Sequence, residues 1–247
     1  MNKKYAAIVA LLFFAVGLAA QNAPGKYEMR AGWMASVANI SWPAKKGLSN
    51  EELKAGYIQF LDSLVAVRAN AVIMQVRPTG DSFYPMSQEP WSIYLTGVQG
   101  KAPAPLWDPM EFLIREAHKR GLEFHAWMNP YRVAQHNDST LIAENHAMRE
   151  HPEWFVQYGK QWYFDPGVPE SADYTVKMVE EYAEKYNLDR ACIWLVYTIG
   201  LSDEIRADVE AAAKACGFEK LQWIQAGGVI TTHAGPAAFG FAGLSKK

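Results

Sequence analysis

The chain has 247 residues, of which 50% are hydrophobic and 20% are charged, and its formal net charge is -2 at pH 7. This composition is typical of a globular protein with a sizeable core. The nearly balanced charge argues against a nucleic-acid-binding protein, which requires a basic face or stripe.

The first twenty residues have the pattern of a secretory signal peptide. Lys3 and Lys4 precede an apolar run over residues 5–20, which ends in small residues. A membrane anchor is the alternative, but the run is shorter than the ~20 residues that a spanning helix needs. We therefore predict a signal peptide over residues 1–20, a secreted or periplasmic protein, and no membrane span after cleavage.

Two strand–loop–helix units follow the signal peptide. The first combines a predicted strand at 29–37 with a helix that begins after Ser49, where Ser49 and Glu52 form a capping box. The second combines a strand at 71–76 with a helix that Asp108 caps, with Pro109 in its first turn. That helix is predicted to end at Gly121.

A third unit begins with a predicted strand at 122–128. A long loop then leads to a helix that starts at Pro169, and a fourth strand is predicted at 191–197. Strands that alternate with helices indicate an α/β protein with a parallel sheet. The long loops all follow the carboxyl ends of strands, where a (β/α)₈ barrel carries its functional residues.

Polar side chains occur near the ends of the second and third strands. Alternation along a strand predicts that Arg77, His125 and Asn129 point into one shared concavity that solvent reaches, with Asp81 and Asp165 near its rim. A satisfied polar network inside a barrel is the alternative. Each aspartate is a candidate functional carboxylate, although an isolated loop aspartate is more often a turn or cap residue.

Aromatic side chains populate the same loops, either as platforms for sugars or as plugs that hold the loops. They are Trp91, Trp107, Tyr131, Trp154, Trp162 and Tyr163. The histidines lack the spacing of a metal site, so no metal and no cofactor are predicted. Cys192 and Cys216 could pair in an exported protein, but two buried thiols are the favoured interpretation.

Several strings of residues occur in order between residues 28 and 189. They are Arg30-Ala31-Gly32-Trp33, Gln75-Val76-Arg77-Pro78, Glu89-Pro90-Trp91-Ser92, Phe124-His125-Ala126-Trp127-Met128-Asn129-Pro130-Tyr131-Arg132 and His151-Pro152-Glu153-Trp154. Together they resemble the glycosyl-hydrolase-like family 10 domain, over about residues 27–189. The resemblance implies an exported bacterial (β/α)₈ barrel of the TIM type that acts on a polysaccharide or cell-wall glycan.

The resemblance also implies which residues line a substrate cleft. Glycoside hydrolysis usually requires two carboxyl groups, and Asp165 and Asp81 are the candidates. The matching positions for substrate binding are Arg77, His125, Asn129, Tyr131 and Arg132, to which the loop aromatics Trp91 and Trp162 are added.

The family pattern then departs from this sequence. The fourth strand of the family ends in an Asp-Asp-Tyr string, whereas this chain has Leu195-Val196-Tyr197. We therefore predict the N-terminal part of a barrel, incomplete, followed by an α/β tail over residues 190–247. The strings Ser202-Asp203-Glu204 and His233-Ala234-Gly235-Pro236 in that tail resemble the end of DegV-type fatty-acid-binding proteins.

Three functions remain open. The first is a glycan-active protein of the glycoside hydrolase type that is impaired or inactive, and the second is a glycan-binding protein without catalysis. The third is a lipid-binding protein that uses the tail. Because about four barrel strands are encoded, an open sheet edge is also expected to allow self-association.

Overall fold

The computed structural model describes residues 28–86, 88–134, 138–165, 167–226 and 239–245. The chain divides into two units, residues 1–30 and residues 31–247, and the helices and strands described lie in the second. The predicted signal peptide over residues 1–20 and the string that begins at His233 lie outside the described residues. Within the described ranges, no helix combines the length and apolar character needed to cross a bilayer.

The described residues form nine strands, six α-helices and three short 3-10 helices. The strands are β1 (Ala31–Met34), β2 (Ala71–Arg77), β3 (Glu123–Met128), β4 (Arg132–Ala134), β5 (Phe155–Tyr158), β6 (Gln161–Phe164), β7 (Leu188–Tyr197), β8 (Leu221–Gln225) and β9 (Phe239–Ser245). The helices are α1 (Asn50–Ala66), α2 (Ile93–Thr96), α3 (Pro109–Lys119), α4 (Ala147–Glu150), α5 (Pro169–Lys185) and α6 (Asp203–Ala215), and the 3-10 helices are Val37–Asn39, Ser139–Leu141 and Pro152–Trp154.

Capping residues lie at the helix ends that the sequence predicted. The Ser49 side chain accepts a hydrogen bond from Glu52 N, and the Glu52 carboxylate accepts one from Ser49 N at 2.8 Å. Asp108 caps α3 by accepting bonds from two backbone N–H groups, with Pro109 at the first position. Gly121 follows α3 with a φ of 72°, a left-handed conformation that favours glycine.

Six strands form the main sheet, in the order β1-β2-β3-β9-β7-β8. β1, β2 and β3 are parallel, as predicted, and so are β7 and β8. The fourth predicted strand, β7, does not pair with β3, because β9 lies between them and runs antiparallel to both. Phe239, the first residue of β9, pairs with Tyr197, the last residue of β7, so β9 begins at the carboxyl end of β7.

The main sheet is open in the described part of the chain. Its edges are β1 and β8, and no pairing joins them there. A mixed α/β architecture is therefore established, with three parallel strands of the predicted kind followed by a tail that adds further strands.

A second, three-stranded sheet has the order β4-β6-β5. It occupies part of the segment between Asn129 and Pro169, which was predicted to be a loop. Tyr158 pairs with Gln161 across a two-residue turn, and Gly159 in that turn has a φ of 61°. A separate small core packs against this sheet, around Val133, Phe155 and Phe164.

The two faces of the main sheet differ. Val72, Met74 and Phe124 are fully buried against helices α1 and α3. On the opposite face, the rings of Trp33 and Trp127 pack edge to face at 4.9 Å. The predicted alternation of β2 and β3 is therefore confirmed on the helix side.

Both cysteines are free thiols. Cys216 is buried, and burial raises the pKa of its thiol to about 11. Cys192 is partly exposed rather than buried.

Candidate functional site

Arg77 is the last residue of β2, and its side chain is only 1% exposed. Its Nε donates to both carboxylate oxygens of Glu89 at 2.9 Å, and Nη1 donates to the carbonyl oxygens of Asn129 and Pro130. Glu89 is also fully enclosed. A buried charge needs such a complete set of partners, so Arg77 fixes the loops after β2 and β3 to one another.

Asn129 adds a second link between the same strand ends. Its Nδ2 donates to the carbonyl oxygen of Pro78 at 3.0 Å, and its backbone N–H donates to the Arg77 carbonyl oxygen at 2.9 Å. Its side chain remains partly exposed. The carboxyl ends of β2 and β3 therefore form a rigid edge.

Asp81 is fully buried in the loop after β2. Oδ1 accepts a bond from Thr79 Oγ1 at 3.1 Å, and Oδ2 accepts bonds from Ile93 N at 3.2 Å and Gln99 Nε2 at 3.1 Å. Burial raises the pKa of this carboxyl to about 6, against the opposing effect of these hydrogen bonds. The carboxyl holds the segment 93–99 against the strand end, and its catalytic role stays a prediction.

Tyr94, which the site prediction omitted, lies close to Asp81 and Arg132. Burial raises the pKa of its hydroxyl to about 12, and the charge of Asp81 adds to the effect while Arg132 opposes it. Tyr94 follows Trp91 by three residues in the sequence, but the opposing effects of Asp81 and Arg132 on its hydroxyl depend on how the loops fold.

Asp165 is partly exposed and begins the turn that leads into α5. Oδ1 accepts a bond from Gly167 N at 2.8 Å, and its carbonyl oxygen accepts one from Ser171 Oγ. Asp81 and Asp165 share no hydrogen-bond partner among the described residues. The structure thus leaves one of the two predicted carboxylates open to a ligand.

His125 is 1% exposed, and its ring packs 5.1 Å from the ring of Trp194 on β7. Its Nε2 lies 3.3 Å from Glu123 Oε2, while Nδ1 has no partner among the described residues. Burial lowers the pKa of the imidazole. The predicted concavity shared by Arg77 and His125 is not formed, because Glu89 covers the one and Trp194 covers the other.

The remaining predicted residues are partly exposed but lie in different surroundings. Tyr131 lines an apolar cavity of about 150 Å³ between α5 and α6. Arg132 pairs with Tyr163 in the small sheet. Trp162 packs against the core of the small sheet, and Trp91 packs against the main core.

Sequence reasoning also missed His146. Its Nδ1 accepts a bond from Met148 N at 3.0 Å, and burial, together with Arg77 and Arg149, lowers the pKa of the imidazole to about 3. Over the ranges that the structure describes, no group of three His, Cys, Asp or Glu residues could hold a metal ion.

Comparison with known proteins shows one family. The model of the family described as glycosyl hydrolase-like 10 matches residues 28–194. Glycosyl hydrolase YngK of Bacillus subtilis (strain 168) is 52% identical over 169 residues, which are 68% of this chain and 33% of that protein. Glycosyl hydrolase DigH of Escherichia coli (strain K12) is 34% identical over 177 residues, 65% of this chain and 40% of that protein. The chain thus spans between a third and two fifths of these relatives.

Two solved structures show a distant likeness. The galactosidase domain of the alpha-galactosidase-sucrose kinase AgaSK is 12% identical with a TM-score of 0.49, over 83% of this chain and 27% of that one. The maltogenic alpha-amylase AmyB of Thermotoga neapolitana is 16% identical with a TM-score of 0.46, over 79% of this chain and 45% of that one.

Proposed function

Because the chain belongs to the glycosyl hydrolase-like 10 family, we propose that it is an exported glycan-active domain of the glycoside hydrolase type. In this proposal a polysaccharide or cell-wall glycan lies along the carboxyl ends of β2 and β3. Residues 28–226 bind that glycan without hydrolysing it on their own.

The observation that supports the proposal is the set of hydrogen bonds made by Arg77, Glu89 and Asn129. These bonds hold the carboxyl ends of β2 and β3 together. A binding site must be held in place by a supporting set of contacts, and here a buried ion pair holds the loops after two strands. Trp91 and Trp162, on segments next to that edge, are partly exposed. Aromatic side chains with partly open rings suit the apolar faces of sugars.

Hydrolysis by the usual route needs two carboxyl groups held at ~5–5.5 Å or ~6.5–9.5 Å. Asp165 is partly open, but Asp81 is enclosed by Thr79, Ile93 and Gln99. β7 ends at Tyr197, and Thr198 follows, so its end supplies no carboxylate. We therefore infer that Asp81 and Asp165 do not work together as a carboxylate pair.

The test combines a binding assay and an activity assay on the whole chain. We expect retention on insoluble cell-wall or plant glycan, and no release of reducing sugar from either. Trp162→Ala should weaken binding about fivefold, because an aromatic contact contributes ~1 kcal/mol. Thermal melts of each variant check that the fold is intact.

Asp165→Asn is the control for catalysis. If the protein released reducing sugar and Asp165→Asn abolished that release, the proposal that the chain binds glycan without hydrolysing it would be wrong. If the protein bound none of the glycans while its melt remained cooperative, glycan binding itself would be wrong.

Two further features belong to the same proposal. Export rests on the predicted signal peptide over residues 1–20, and self-association rests on the open edges β1 and β8. Fatty-acid binding by the DegV-like tail is the alternative. Its distinctive string around His233 lies outside the described residues, and the apolar cavity between α5 and α6 is the feature that favours it.

A further inference from the structure

A cleft of about 500 Å³ lies beside the first half of α5. Residues 145–154 form its opposite wall, and Gln88 from the loop after β2 closes one side. Neither Asp81 nor Asp165 lines it. A volume of this size is within the range of small-ligand sites, about 300–1,000 Å³.

One wall of the cleft is aromatic. The imidazole of His151 stacks on the indole of Trp154 at 3.9 Å with an angle of 7°, and the Tyr174 ring lies 5.8 Å from that indole. The Tyr174 hydroxyl donates to the Gln88 carbonyl oxygen at 3.2 Å, which fixes the ring. Three connected rings with partly exposed side chains provide a preformed surface for the apolar face of a sugar.

The charged groups that line the cleft are mainly acidic. Glu150, Glu170 and Asp173 contribute three carboxylates, and Lys177 contributes one ammonium group. None of these three carboxylates forms an ion pair within the described residues, and all three side chains are exposed. The cleft therefore combines an aromatic wall with an excess of negative charge.

We propose that this cleft binds a glycan unit that carries a protonated amino group, of the glucosamine type. The aromatic wall contacts the C–H face of the ring, while carboxylates pair with the ammonium group and accept bonds from hydroxyls. An uncharged sugar lacks the ionic contact, and an acidic sugar is repelled. The cleft is separate from the strand edge of the proposed function, so a negative result for one site does not decide the other.

The test is calorimetric titration of the whole protein with a glucosamine tetramer and with its fully N-acetylated counterpart. Acetylation removes the positive charge but keeps the ring, so we expect the glucosamine tetramer to bind about tenfold more tightly at low salt. The difference should shrink at 0.5 M salt, because salt screens exposed charges.

Variants locate the site. The double variant Glu170→Gln/Asp173→Asn should remove most of the preference for the glucosamine tetramer. Glu184→Gln, an exposed carboxylate of the same helix outside the cleft, should leave it unchanged. The preference between the two tetramers reports on the cleft, whereas retention on insoluble glycan reports on the strand edge, so failure here is distinguishable from failure of the proposed function.

Three outcomes would overturn the proposal. The first is equal affinity for the two tetramers, and the second is an unchanged preference in the double variant. The third is tighter binding of a tetralysine peptide than of the glucosamine tetramer, which would identify the cleft as a site for basic peptides.

Discussion

The part of the chain up to α5 and the part from β7 onward are packed very differently. Helix α1 buries five side chains and β2 buries six of its seven residues, whereas α6 buries Ala213 alone and β8 buries none. The first part also contains the enclosed ion pair of Arg77 and Glu89. Because enclosed groups depend on their partners far more than exposed ones do, equivalent substitutions should have larger effects in the first part than in the second.

The largest expected effect comes from removing one member of the enclosed ion pair. Glu89→Ala leaves the guanidinium of Arg77 buried without its counter-charge, which should lower the free energy of unfolding by about 3–5 kcal/mol. Urea denaturation followed by circular dichroism measures this change. Glu210→Ala is the matched control in the second part, since its carboxylate accepts a bond from Trp223 Nε1 but is 40% exposed.

The double variant Arg77→Met/Glu89→Leu tests the cause of that loss. It removes both charges, so it should be more stable than Glu89→Ala alone. A loss below about 1 kcal/mol in Glu89→Ala would show that the two parts of the chain do not differ as proposed.

The next effect concerns pH and the buried carboxyl of Asp81. The pKa of Asp81 is about 6 in the folded protein, against a reference value of 3.8. Between these two pH values the folded state therefore keeps a proton that the unfolded state has already released. Stability should therefore fall as pH rises from about 4 to about 6, by on the order of 3 kcal/mol. Thermal melts at half-unit pH steps measure this trend.

Asp81→Asn should flatten that trend. The amide oxygen can replace Oδ2 as the acceptor for Ile93 and Gln99, while the amide nitrogen donates to the Thr79 hydroxyl. Asp81→Ala leaves these donors without an acceptor and should cost about 1–3 kcal/mol. An unchanged pH trend in Asp81→Asn would assign it to another group.

The smallest expected effect lies in the second part. The guanidinium of Arg206 lies 3.9 Å from the ring centroid of Tyr197 on a partly exposed surface. Arg206→Ala should lower the free energy of unfolding by about 0.5–1 kcal/mol, because the contact is a cation–π pair near solvent. Arg206→Lys should recover part of the loss. If Arg206→Ala lowered the free energy of unfolding as much as Glu89→Ala does, the two parts of the chain would not differ as proposed.

Local signals explain which parts of the fold the sequence could predict. The capping box at Ser49 and Glu52, the Asp108 cap and the stop at Gly121 each depend on a few neighbouring residues, and all three are confirmed. The β5–β6 hairpin was missed although its Gly159-Lys160 turn was a usable signal. The insertion of β9 between β3 and β7 depends on pairing between distant segments, which periodicity does not report.

The sequence indicated which residue types lie at the site, but it did not indicate which side chains surround each of them. A buried arginine at a strand end requires a carboxylate, but the sequence around Arg77 offers several, and the fold selects Glu89. The seclusion of His125 depends on Trp194, a residue far along the chain. Surroundings that come from a distant segment, such as those of His125, could therefore not be predicted from the neighbouring sequence.

The position of β9 has a consequence for how the protein is made. Residues 239–245 supply the strand that joins β3 to β7, and the ribosome adds them after both of those strands have been synthesised. Until they emerge, β3 and β7 each present a row of free backbone amides and carbonyls to other chains. The interval between translation of β7 and translation of β9 is thus when a nascent chain is most exposed to aggregation and to capture by chaperones.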